Sequence, residues 1–312
     1  MSQAIVIREY GASDVLMPEG VQVPAPGAGE LRLRQSAIGV NFHDIYVRSG
    51  LYNTLTLPGI PGCEAVGVID AVGEGVEGFK AGDRVAYVTG PPYGAYASHR
   101  LLPASAVVPL PDEVGDDLAA ATLLRALTVD MLTRRVMQLK PGMSILVHAA
   151  AGGVGRMMCQ MAGHLGATVF GTVGSEEKAG IARDAGCAHP ILYREVAFEE
   201  EVLRLTEGRG VDVVYDSIGA DTFEGSLRAL ATCGHLWPPG QFRPVFRACG
   251  SSCNGDAGQE IPDGDPPDPV PLSTCFNAIS VHGGNGVRGI FRWHSESRST
   301  GKLRPVRSLQ GT

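Results

Sequence analysis

The sequence predicts an α/β chain in two parts, a β-rich N-terminal module followed by a doubly wound parallel sheet, and three observations support this. The apolar run Ile145-Leu146-Val147 breaks at Gly152, Gly153 and Gly155 and resumes as Met157-Met158-Cys159-Gln160-Met161-Ala162, the pattern of a strand, a tight turn and a helix start. Strand and helix patterns then alternate, which lays parallel strands beneath covering helices. Upstream of about Leu123 the texture is instead short strands punctuated by proline and glycine turns.

In the first part the strands are Ala4 to Ile7, Glu30 to Arg34, Ala65 to Ile69 and Arg84 to Val88, separated by turns at Pro24-Ala25-Pro26-Gly27, Pro58-Gly59-Ile60-Pro61-Gly62 and Gly73-Glu74-Gly75. Asp116 to Gln138 reads as helix and leads through Pro141-Gly142 into the glycine-rich strand. Beyond the turn, Thr168 to Val173 is a buried strand, Lys178 to Ala185 a helix and Val211 to Asp216 a further strand. The expected domains are 1–123, 124–250 for the parallel sheet, and 251–312 for an aberrant, poorly ordered tail.

The glycine turn points to a dinucleotide. Glycines let the backbone turn sharply, approach a pyrophosphate and pack the helix on the strand, while the helix's unpaired N–H groups face the phosphate charge. Such turns also arise for purely steric reasons, and the alternation around this one favours the ligand reading. An NAD site usually ends its second strand in an acid that accepts from the ribose 2′-hydroxyl. Here Ser175 stands at that turn with Lys178 three residues on, which suits a 2′-phosphate and so NADPH; the competing reading makes Ser175 a helix cap and Lys178 a solvated cation, and Glu176 and Glu177 weigh against positive charge.

A chain of 312 residues, 44% hydrophobic, holds two ordinary domains. Its net charge of −7 and lack of any Lys/Arg run exclude nucleic acid as a primary partner. The first residues lack the basic start and apolar core of a signal peptide and no stretch is long enough to span a bilayer, so a cytoplasmic protein is expected. Seven cysteines in such a chain predict no disulfide framework, and Cys63, Cys159 and Cys187 read as small core residues.

The chain resembles the quinone oxidoreductase branch of the zinc-independent medium-chain dehydrogenase/reductase family, from the N-terminus to about Leu230. The motifs are Gly39-Val40-Asn41-Phe42-His43-Asp44-Ile45-Tyr46 with Gly50-Leu51-Tyr52, then Pro61 to Gly67, Gly82-Asp83-Arg84-Val85, Gly94-Ala95-Tyr96-Ala97, Ala149 to Gly155, and Val214-Tyr215-Asp216-Ser217-Ile218-Gly219. The resemblance implies a GroES-like catalytic domain, a Rossmann domain, and NADPH and substrate in the cleft between them. It implies Asn41, Tyr46 and Tyr52 as hydrogen-bond donors beside the substrate oxygen. For the cofactor it implies the turn Gly152, Gly153, Val154 and Gly155, together with Ser175, Lys178, Tyr193 and Ser217, and Thr128 facing the nicotinamide amide. Arg125-Ala126 departs from the family's usual lysine-glycine pair.

Zinc-dependent relatives carry a cysteine where Asn41 stands and a His-Glu pair where Cys63-Glu64 stands. A zinc site needs several nitrogen or thiolate donors, so no metal is expected, although His43 and His99 are potential ligands. Chemistry without a Lewis acid suits a quinone or activated enone, in which delocalisation already stabilises the added charge. The expected activity is NADPH-dependent quinone reduction, with alkenal or enone double-bond reduction as the neighbouring reading and an impaired NADP-binding protein as the third.

After Leu230 the resemblance fails. Cys233-Gly234-His235-Leu236-Trp237-Pro238-Pro239-Gly240, Cys249 to Cys253 and Pro262 to Pro269 hold no sustained periodicity. Codons for Gly289 to His294, read one base later, permit Glu-Phe-Phe-Asp-Gly-Ile, which resembles the family's penultimate helix, and Thr300-Gly301-Lys302-Leu303 matches again in the normal frame. We therefore expect a coding-frame disruption from about Ala231 to about Ser299. It removes a phenylalanine-glycine turn from the nicotinamide side and the sheet strands through which the family forms homodimers. Resequencing the coding DNA tests this, and peptides from that region in an uninterrupted frame overturn it.

Overall fold

A computed structural model describes residues 1–237, 245–246 and 290–291 of the chain. It divides into two compact units between Leu127 and Thr128.

The first unit is antiparallel. A two-stranded sheet pairs β1 (Ser2–Val6) with β2 (Met17–Val21). The main sheet runs β14-β3-β4-β5-β7, from β3 (Glu30–Gly39), β4 (Glu64–Val72), β5 (Arg84–Val88), β7 (Val107–Pro109) and the two-residue β14 (Ile290–Phe291). β6 (His99–Pro103) also pairs with β3. Alternation along β3 sends Leu31 and Leu33 into a core with Ile69, Val85 and Tyr87, the half-buried pattern of such sheets. Gln35 is also buried; it donates to the Ala95 and Ala97 carbonyls and accepts from the Tyr87 hydroxyl. The helix α1 (Phe42–Ser49) follows β3 directly, and Gly50 ends it in the left-handed conformation at φ 80°. Only a residue without a Cβ adopts that conformation at little cost.

The helix α2 (Asp116–Asp130) passes into a π-helical turn, Met131–Val136, so the helix expected to run to Gln138 ends in a wider coil. The second unit then builds a sheet ordered β10-β9-β8-β11-β12-β13, from β8 (Ser144–Val147), β9 (Thr168–Val173), β10 (His189–Leu192), β11 (Val211–Tyr215), β12 (Leu230–Trp237) and β13 (Val245–Phe246). All pairs are parallel except β12 with β13. Between the strands lie α3 (Gly153–His164), α4 (Glu176–Asp184), α5 (Phe198–Leu205) and α6 (Ala220–Ala229). The order reverses between β8 and β11, and a sheet of this kind binds its ligand at the carboxyl ends of the strands where that reversal occurs.

Two further expectations change. Helix α4 starts at Glu176 rather than Lys178 because the Ser175 hydroxyl caps it. Regular structure also persists past Ala231: β12 continues to Trp237, paired with β11. A bulge around Cys233, which sits at φ 63°, takes up extra residues, and beyond it Leu236 and Trp237 are buried in the cores on opposite faces of the sheet. That bulge interrupts the periodicity, which is why the strand is hidden in the sequence. Apart from β13 and β14, the rest of the tail at 251–312 and of the stretch assigned to a frame disruption lies outside the described residues. Cys63, Cys159 and Cys187 are free and buried, whereas Cys233 is disulfide-bonded.

Candidate cofactor and substrate sites

In the second unit the glycine turn follows β8. A Cβ on Gly155 would stand 2.3 Å from the Ala149 carbonyl oxygen and 2.8 Å from the Ala150 Cα, so only glycine allows α3 to start this close to the strand. Gly152, Gly153 and Val154 are exposed. No side chain caps α3 and no acid stands in its first turn, whereas α1, α2, α4, α5 and α6 each carry at least one acid there. Acids at a helix N-terminus satisfy its positive end. Leaving that end bare and open fits a phosphate supplied from outside.

The proposed 2′-phosphate residues gather at the ends of β9 and β10. Ser175 Oγ accepts from the Lys178 N–H at 3.4 Å, so the capping reading of Ser175 holds geometrically, with its own O–H left to donate. A Cβ on Gly174 would lie 3.3 Å from the Tyr193 hydroxyl and 3.6 Å from Arg194 Nε. Arg194, which the sequence reading passed over, sets its guanidinium 6.0 Å from the Tyr193 ring. Its signal was adjacency to Tyr193. Glu176 is turned to Arg183 at 3.0 Å, which removes one of the two acids weighing against an anion. Ser217 is exposed at the end of β11, next to the buried Asp216, and Thr128 is half-buried in α2.

In the first unit Asn41, Tyr46 and Tyr52 come together around α1. Asn41 stands at the helix N-cap, where its N–H donates to the Asp44 carboxylate at 2.9 Å. Its side-chain amide donates to Glu64 Oε1 at 2.7 Å, and the Leu124 N–H donates to Glu64 Oε2 at 2.8 Å. Asn41 therefore spends a donor on a buried carboxylate that the resemblance did not assign. Glu64 is 1% exposed, and a Cβ on Gly39 would meet its Oε1 at 2.2 Å, so Gly39 makes the room it occupies. Burial pushes the Glu64 carboxyl up to about 7, against the pull of the two donated hydrogen bonds and of Arg125. Burial also raises Asp44, opposed by Asn41, Tyr96 and Cys63, and raises the Cys63 thiol so that it stays protonated.

The tyrosines form an aromatic face. Tyr46 and Tyr52 meet edge to face at 5.3 Å, and His43 lies 5.5 Å from Tyr52. The His43 Nε2 is 2.9 Å from the Tyr93 hydroxyl, and His99 Nδ1 is 2.9 Å from Ser2 Oγ, so both histidines are engaged in polar contacts. Beside the tyrosines Phe42 is 75% and Leu51 68% exposed, large apolar groups available to a planar ligand. Among the described residues no three His, Cys, Asp or Glu side chains converge as a metal site, and no helix is long and apolar enough to cross a membrane.

Comparison with known proteins matches residues 27–112 to the alcohol dehydrogenase GroES-like domain and residues 153–240 to the zinc-binding dehydrogenase domain. The second match passes Ala231, in agreement with the observed β12. A 2-haloacrylate reductase from a Burkholderia species is 46% identical over 239 residues, covering 75% of this chain and 72% of the relative. A quinone oxidoreductase from Pseudomonas aeruginosa is 46% identical over 236 residues, covering 76% and 72%. The solved Escherichia coli quinone oxidoreductase in complex with NADPH superposes with a TM-score of 0.73 at 42% identity, covering 75% and 72%.

Proposed function

The chain belongs to the quinone oxidoreductase branch of the zinc-independent medium-chain dehydrogenase/reductase family, and from that premise we propose that it reduces quinones with NADPH. The observation that carries the reading is the bare, exposed, acid-free N-terminus of α3 behind a turn only glycine can make. A pyrophosphate placed there meets unpaired N–H groups and the positive end of the helix. Tyr193, Arg194, Lys178 and the Ser175 hydroxyl supply the donors and charge that a 2′-phosphate needs and a 2′-hydroxyl does not. Ser217 and Thr128 complete the cofactor residues, as the resemblance implies. When bound, NADPH supplies the hydride.

The chain's own contribution is alignment and proton-side polarity. Tyr46, Tyr52, Phe42 and Leu51 offer a planar acceptor an aromatic and apolar face, with the tyrosine hydroxyls as donors to its oxygen. Asn41, whose side-chain amide donates to Glu64 Oε1 and at 3.8 Å to Cys63 Sγ, acts at the edge of that face by exchanging the weak thiol contact for the substrate oxygen. A quinone delocalises the charge it gains, so donated hydrogen bonds suffice to stabilise it.

A second reading, reduction of an activated double bond, is supported by the 2-haloacrylate reductase among the relatives. A simple benzoquinone and an enone assayed side by side separate the two. With this reading go a cytoplasmic location and the family's homodimer, which the departure of the sequence from the family pattern after Leu230 calls into question; size-exclusion chromatography measures the oligomeric state.

The test has two stages. NADPH should raise the melting temperature more than NADH, because a ligand that binds only the folded state stabilises it. Benzoquinone should then oxidise NADPH. A melting temperature indifferent to NADPH defeats the cofactor reading, and binding without turnover on any quinone or enone leaves an impaired NADP-binding protein.

A further inference from the structure

Four buried polar side chains in the second unit have no part in the reading above. His148 follows β8, Thr172 lies in β9, Asp216 follows β11 and Ser226 is in α6; none is more than 5% exposed. His148 Nδ1 is 3.0 Å from Thr172 Oγ1, and its Nε2 is 2.9 Å from Ser226 Oγ. The Ser226 hydroxyl donates to Asp216 Oδ2 at 3.1 Å. At the other end the Ala149 N–H donates to Thr172 Oγ1 at 3.3 Å.

For a neutral imidazole, one arrangement of protons satisfies every link. Ser226 gives its proton to Asp216, so its oxygen must accept from His148 Nε2–H; Nδ1 is then the acceptor of the Thr172 hydroxyl, whose oxygen accepts from Ala149. With a neutral imidazole the chain runs one way, Ala149 to Thr172 to His148 to Ser226 to Asp216. Burial lowers the basicity of His148 and keeps it neutral.

Both ends hold loops of the cofactor site. Ala149 opens the glycine turn and sits at φ 52°, a conformation unfavourable for alanine that needs outside support. Asp216 accepts from the N–H groups of Ile218 at 2.8 Å and Gly219 at 3.0 Å, which shapes the loop carrying Ser217, and the Thr222 hydroxyl donates to both its oxygens. We infer that this buried hydrogen-bond chain, with His148 at its centre, is a positioning device that holds the glycine turn and the Ser217 loop in mutual register for the dinucleotide. The inference rests on the NADPH reading. Among the described residues the hydrogen bonds of this chain do not include Tyr193 or Lys178, which belong to the proposed 2′-phosphate end.

The test compares NADPH with adenosine 2′-monophosphate, which carries only the 2′-phosphate end. Thr172→Val is isosteric and removes the hydroxyl that both Ala149 and His148 use; Ser226→Ala cuts the link to Asp216 with almost no change of volume; Thr172→Ser keeps the hydroxyl. The first two should weaken NADPH binding about tenfold, the equivalent of one lost, well-placed hydrogen bond. Adenosine 2′-monophosphate should bind all variants as it binds the parent, and Thr172→Ser should restore NADPH affinity. Equal weakening of both ligands, or of neither, in folded variants overturns the inference. Failure of the parent itself to bind NADPH would instead defeat the cofactor reading.

Discussion

Each unit buries a polar cluster under its proposed site, and the two clusters are built in opposite ways. In the first, Glu64 and Asp44 are carboxylates whose charge burial opposes, and among the described residues two donors reach Glu64. In the second, the Asp216 carboxylate takes two backbone N–H groups and two hydroxyls, and the histidine that completes the chain is neutral. A carboxylate met by four donors is fixed in geometry, while an undersupplied one is poised to titrate. The cofactor side is therefore held by its hydrogen-bond geometry, and the substrate side is adjustable.

The comparison breaks most visibly at its saturated end. Asp216→Asn replaces an oxygen that accepts from several donors by an NH₂ group that faces them, leaving buried donors unpaired. The expected loss of stability is about 3 kcal/mol or more, read by chemical denaturation at pH 7. A loss below about 1 kcal/mol would mean that Asp216 is not the anchor described.

The adjustable end is tested by pH. A carboxyl raised to about 7 in the folded protein against 4.5 unfolded retains a proton that the unfolded chain releases. The stability it contributes is complete below pH 4.5 and disappears as pH rises through about 7. The stability of the parent minus that of Glu64→Gln should therefore fall by about 3 kcal/mol across that window. A difference independent of pH contradicts the titration.

How much of this was legible differs between the clusters for a physical reason. The glycine turn, Ser175 and the strand pattern are local, and local spacing displays them. The partners of Asn41 and His148 are not: Glu64 lies 23 residues from Asn41, and Ser226 lies 78 from His148. Those contacts exist only because β3 pairs with β4 and because β8 lies beside β11. Asn41 was legible as a polar group at a helix start, but not as the partner of a buried acid. Strand β12 was lost to reading because a bulge at Cys233 breaks the alternation that marks a strand.

The smallest expected effect separates two roles of one side chain. Ser175 Oγ caps α4 by accepting from Lys178 N–H, and the same hydroxyl is proposed to donate to the 2′-phosphate. Ser175→Ala should cost about 1 kcal/mol of stability through the lost cap. Ser175→Asp keeps a capping acceptor and so should restore stability, but it adds a negative charge where the phosphate would sit. If the hydroxyl serves both roles, the alanine variant loses stability and NADPH affinity together, whereas the aspartate variant regains stability and loses affinity further, with preference moving toward NADH. If Ser175 only caps, affinity for NADPH follows stability in both variants. The aspartate variant decides the matter, because there the demands of the helix and of the phosphate have opposite sign.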